Sequence, residues 1–230
     1  MGISLKRLEK KTLDLGINKL SDAGIDVERW LAMCDADPST MQRLVSAWPV
    51  RLSSFVHDAK TVCGVLGLPN NCKEETPKAA DGEVVVWYGG WTLGELVATS
   101  KVVNYLSKER ESWKAPAGYY HTRIPVPESN RLTWGEQAGD KKQSLLARLY
   151  AAFQALPTPV GATALAAHLG VTGEDLLKGD FCRCAEALPD GNHAELSVGE
   201  GRVNVSNLWD DLRGGGVFLG AARKSDTLKS

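Results

Sequence analysis

The chain has 230 residues, 43% of them hydrophobic and 24% charged, with a formal net charge of -1. That length can bury a full core, as one large domain or two small ones. Lys and Arg never outnumber Asp and Glu by more than one in residues 1–80, 81–140 or 141–230, so charge gives no support for unspecific phosphate binding. No apolar run approaches the ~20 residues of a membrane span. Met1 to Arg7 lead into alternating charge and not into an apolar signal core. The five scattered cysteines, Cys34, Cys63, Cys72, Cys182 and Cys184, read as reduced thiols, and a cytoplasmic location is expected.

In chain order, residues 3–20 carry leucines at moderate helical spacing. Asp26 is placed to cap a short helix, and Asp37-Pro38 is a strong helix start. Phe55, Ala59, Val62, Cys63 and Leu66 also fall at helical spacing, closed by Gly67 and Pro69. Residues 1–69 therefore read as a helical segment. Residues 70–82 are polar, hold Pro77 and Asp81-Gly82, and read as a linker.

From Val84 the character changes. Val84-Val85-Val86-Trp87-Tyr88 suits a strand covered on both faces, followed by a Gly89-Gly90 turn. Thr92 and Glu95 form a capping-box pattern for a helix expected to continue through Val102, Val103, Tyr105 and Leu106. Residues 119–126 read as a strand that, given Pro125 and Pro127, lies at a sheet edge or ends there. Residues 144–156 and 162–169 read as helices, the second stopped by Gly170. Residues 194–198 and 202–206 alternate as a hairpin across Gly199-Glu200-Gly201, and Val217-Phe218-Leu219 supplies a third strand of a meander. The last residues, 224–230, read as a frayed tail.

Each motif has a structural reading beside its functional one. Residues 163–178 resemble a helix-turn-helix, with a helix before and a hairpin after, as in a winged helix. The DNA-facing set would be Thr172, Lys178, Arg183 and Arg202, but Glu174 and Asp175 stand where donors to bases belong. Cys182-Arg183-Cys184 with His193, and Cys72 as a further candidate, has the wrong knuckle spacing and no fourth ligand nearby, so two buried thiols are the simpler expectation and no metal is assigned. Gly89-Gly90 matches neither dinucleotide nor P-loop spacing, so no cofactor is expected. His121 or His193, with a cysteine or carboxylate, would be needed for hydrolysis, yet no nucleophile elbow is present and no catalytic residue is assigned. Trp91, Trp134 and Trp209 lie at element ends or in loops, where amphipathic rings meet partners; with Arg202 and Arg213 they form the candidate partner-binding set.

Val86 to Leu96, Pro116 to Tyr120, Pro125 to Arg131 and Asp180 to Glu186 resemble phrases of a bacterial protein family with no assigned activity. The likeness spans about residues 84–223. It implies one structural unit there and carries no catalytic role.

The expected architecture is α+β: the amino-terminal helical segment, then residues 83–223 as a mixed domain with a small, mainly antiparallel sheet and a carboxy-terminal β-meander. The expected function is that of a non-enzymatic binding or assembly protein, with a protein partner or self-association and no membrane. A winged-helix DNA-binding protein and a small hydrolase are the alternatives.

Overall fold

The computed structural model describes residues 54–225, all within the unit of the chain that begins at Ser53. The helices expected in residues 3–48 lie outside the described residues. Strand β1 (Phe55–His57) leads into helix α1 (Ala59–Leu66), which Asp58 caps at the Thr61 N–H and Gly67 closes in a left-handed conformation. Phe55 thus stands in a strand and not at the head of a helix. The run read as a linker lies along the core: Cys72 and Ala79 pack against it.

Strand β2 (Val84–Tyr88) is buried at all five positions, as its unbroken apolar sequence requires. The capping box forms as expected on helix α2 (Leu93–Ala98): the Thr92 N–H donates to Glu95 at 2.7 Å, and the Glu95 N–H donates to the Thr92 hydroxyl at 3.2 Å. That helix is shorter than its pattern suggested. The Thr99 hydroxyl donates to the Leu96 carbonyl, Ser100 turns to φ 60°, and Val102 and Val103 enter strand β3 (Val102–Asn104). β-branched residues fit that strand better than a fourth helical turn.

Strand β4 is Gly118–Arg123. Helix α3 keeps only Leu145–Leu149 of the expected residues 144–156, and Gln154–Ala155 becomes strand β5. Helix α4 runs from Thr158 to Thr172, straight through the turn expected at Gly170. A side chain at Gly170 would place Cβ 2.4 Å from a Val65 methyl, so that glycine admits α1 and does not end the helix. The helix-turn-helix expectation is corrected here, because residues 174–178 hold no second helix. The Asp175 carboxylate instead accepts the Leu177 and Gly179 N–H groups and builds a turn.

Strands β6 (Phe181–Ala187), β7 (His193–Gly199) and β8 (Arg202–Leu208) follow, then β9 (Val217–Leu219) and β10 (Ala221–Lys224). Glu200 and Gly201 both have positive φ in the two-residue β7–β8 turn, the conformation a tight hairpin needs. Two mixed five-stranded sheets replace the single small sheet expected: β1-β2-β4-β10-β5, and β3-β8-β7-β6-β9. The meander is β6-β7-β8. Val217–Leu219 pairs in parallel with β6 and not with β8. Lys224, expected in a frayed tail, is the last residue of β10.

Helix α4 touches β1, β2 and β4 of the first sheet and β6, β7 and β8 of the second. Every residue from Thr158 to His168 is buried. A helix that is apolar all round belongs inside, and small residues let both sheets approach it. A Cβ on Gly161 would come within 2.6 Å of both Leu156 and Leu196.

Candidate functional site

The second sheet has two unlike faces. Strand alternation sends Cys182 and Cys184 of β6 and Ala194 and Leu196 of β7 inward to the common core, where all four are fully buried. Arg183, His193 and Glu195 point the other way, with Arg183 and Glu195 directly opposite across the strand pair. The thiols and the imidazole are therefore on opposite sides of one sheet and do not converge. Among the described residues no group of three or more His, Cys, Asp or Glu is disposed to hold a metal ion.

Arg183 organises the outer face. It is fully buried, which disfavours the guanidinium charge and lowers its pKa, while Asp210, Glu195 and Asp211 support the charge. One terminal nitrogen donates to the Leu132 carbonyl at 3.0 Å and to the Gln137 side-chain oxygen at 3.1 Å. The other donates to the carbonyls of Trp209 at 2.6 Å and Leu212 at 2.9 Å. A planar, permanently charged fork with donors on both sides suits this clamp, and an ammonium does not. It ties residues 129–140 to residues 209–216.

Further bonds close the same two loops: the Arg131 N–H to the Gly214 carbonyl, the Trp134 N–H to the Asp210 carbonyl at 2.7 Å, and the Asn130 amide to the Gly215 carbonyl. Arg213 donates to the Arg131 carbonyl and pairs with Glu136 at 2.8 Å. A π-helical turn, Gly135–Gly139, carries Gln137 inward to Arg183. Beside it opens a cleft of about 490 Å³ lined by Leu132, Thr133, Glu136, Asp140 and Arg148 among others.

His193 stands at the edge of this platform. Its Nδ1 lies 2.7 Å and 2.9 Å from the two Asp210 carboxylate oxygens. The Trp134 indole stacks on the imidazole at 3.8 Å between ring centres and 20° between planes. Glu195, two residues along the same face, takes a hydrogen bond from Ser206, while its second oxygen is buried without a partner. Burial raises its pKa against the pull of Ser206 and Arg183.

No family model matches the chain, and no curated protein or solved structure is similar to it.

The candidate residues divide sharply. Trp134, Trp209 and Arg213 come together on the paired loops, and the Trp209 ring is 67% exposed. Trp91 is instead a core residue, 7% exposed, with its ring against Tyr88 and its carbonyl accepting the Tyr88 hydroxyl. Arg202 sits at the opposite end of the β7–β8 hairpin, paired with Glu200. Six residues of strand, about 20 Å, separate it from the platform. Of the DNA-facing set, Arg183 is enclosed, and the Thr172 hydroxyl donates back to the His168 carbonyl. Lys178 is exposed at φ 52° in the turn after α4. Arg223 donates to Glu83 in the first sheet.

His121 is buried. Its Nδ1 meets Glu83 at 2.8 Å, and Glu83 also accepts from the Ala80 N–H and Arg223. Those bonds hold the Glu83 carboxyl below its usual pKa although burial alone would raise it. Glu195, Gln137 and Ser206 went unremarked, and the one visible signal was the period-2 alternation that placed residues 194–198 in a strand.

Proposed function

We propose that the protein is a binding or assembly protein whose recognition surface is the loop pair 129–140 and 209–216. One observation carries this: a fully buried arginine spends four hydrogen bonds fixing two surface loops, and the exposed Trp209 rides on one of the bonded carbonyls. An aromatic anchor held rigid before contact loses little entropy on binding. Arg213 and Glu136 supply a polar rim. The partner is a protein, or a second copy of this chain. Light scattering and pull-down from native lysate, comparing the wild type with Trp209→Ala, test it. A complex lost in the variant is expected. A strictly monomeric protein that captures the same proteins with or without the Trp209 indole would refute it.

A second reading draws on His193. Asp210 orients the imidazole as a carboxylate does in a general base, and Nε2 has no protein partner among the described residues. This supports a small hydrolase that activates water. Retention of a measured hydrolytic activity in His193→Ala would end it.

A further inference from the structure

Far from the loop platform, two imidazoles meet inside the protein. His57 closes the three-residue strand β1, and His168 lies in α4; they are 3% and 1% exposed. His57 Nε2 is 3.3 Å from His168 Nδ1. The Phe55 ring stands edge-on to His168 at 4.4 Å. β1 is an edge strand among the described residues, joined in parallel to β2. Among the described residues its other hydrogen bonds are few: the Phe55 N–H to the Glu83 carbonyl, and Ser54, whose hydroxyl donates to the Ala80 carbonyl and accepts from the Gly82 N–H.

We propose that the His57–His168 pair is an acid-sensitive latch that keeps β1 docked on β2 and α4 at neutral pH and releases it in mildly acidic solution. When both rings are neutral, one nitrogen donates and the other accepts. A first added proton must be carried in a site nearly closed to water. A second turns both facing nitrogens into donors and destroys the bond. A strand held by few other bonds is the part of the fold that yields first.

The surrounding charges only partly oppose this. Asp58, next in the chain and capping α1, favours protonation of His57; Glu174 and Asp175, beyond the end of α4, favour protonation of His168. α1 also carries Lys60 and Cys63, β2 carries Tyr88, and α4 has no ionisable side chain besides His168. Burial outweighs the carboxylates: His57 falls from 6.5 to about 4, first through desolvation and then through His168, and His168 is lowered by the same desolvation. A His with a depressed folded pKa stabilises the docked state above its free pKa. That stability is lost as pH falls from 6.5 towards 4. Linkage through His57 alone raises the released population about 20-fold between pH 7 and pH 5, and His168 acts in the same direction.

Hydrogen exchange of the whole chain at pH 5 to 7.5, corrected for intrinsic rates, tests this. The β1 amides lose about 20-fold or more of their protection by pH 5, while the β4–β10 amides stay protected. In His57→Gln, which keeps a side-chain donor but does not titrate, the change shrinks to a few-fold. Flat β1 protection in the wild type overturns the latch, as does an undiminished change in the variant or a parallel loss in β4 and β10. If His57→Gln does not fold, imidazole NMR of the wild type decides. A midpoint for His57 below pH 5, with that of His168 also lowered, supports the latch, and ordinary midpoints near 6.5 for both overturn it.

Discussion

Arg183→Met isolates the platform from the rest of the fold. The substitution fits the volume of the side chain but removes every donor. Four acceptors lose their bond: the carbonyls of Leu132, Trp209 and Leu212 and the Gln137 amide oxygen. Hydrogen bonds to a charged group are worth about 1.5–3 kcal/mol each, and a stranded buried acceptor costs about 1–3 kcal/mol. Two effects pull the other way. The wild type bears the cost of burying a guanidinium, and carbonyls near the surface regain water once the loops move apart. The balance is a destabilisation of about 3 kcal/mol, in the range for removing one partner from a buried polar cluster. Urea denaturation gives the total. Hydrogen exchange at the Trp134 amide, bonded to the Asp210 carbonyl at 2.7 Å, shows where the loss falls. The β2–β4 amides of the other sheet remain protected. A change below about 1 kcal/mol with the Trp134 amide unaltered would refute the clamp.

Trp91→Ala and Trp209→Ala, similar to the eye in the sequence, separate in thermal denaturation. The first opens a core cavity and costs about 3–5 kcal/mol; the second removes an exposed ring and stays within about 0.5 kcal/mol. Glu195→Gln tests the carboxylate whose second oxygen is buried without a partner. Burial lifts the Glu195 pKa, so the folded state holds its proton more tightly than the unfolded chain. The wild type therefore loses stability as pH rises from 4.5 through that raised value. The variant lacks this loss and is as stable as the wild type at pH 7, or better by about 1 kcal/mol, with no advantage below pH 4.5. A clear deficit at pH 7 in urea titrations contradicts this.

Local signals were legible where they were also final. Thr92 and Glu95 are three residues apart and bond each other, so the sequence window that shows the pattern contains the whole interaction. The same holds for Glu200-Gly201, whose positive φ values need no distant contact. The misread elements depend on partners elsewhere. Val102 and Val103 become a strand because β8 lies alongside. Gln154–Ala155 is a strand because β10 pairs with it. β6 was hidden by its own alternation: Cys182 and Cys184 face the core, while Arg183 between them looks like a surface residue. Its acceptors are 26 to 51 residues away in the chain, so no short window reveals that the charge is enclosed. The clamp, and with it the candidate site, exists only in the folded chain.

The same consideration explains the false helix-turn-helix and places recognition elsewhere. Small residues at close spacing serve equally for one helix crossing another and for one helix held between two sheets. A polar face tells them apart. A helix that reads a groove or a partner must present donors and charges on one side, yet no Asp, Glu, Lys or Arg occurs between Arg148 and Glu174. From Thr158 to His168, helix α4 is committed to the core on every side. With both sheets turned inward on it, the described residues present their exposed aromatic rings, Tyr105, Phe181 and Trp209, at strand ends and loops. There the buried charge of Arg183 fixes two irregular segments, the first of which also packs Leu132, Trp134 and Ala138 on a small apolar cluster.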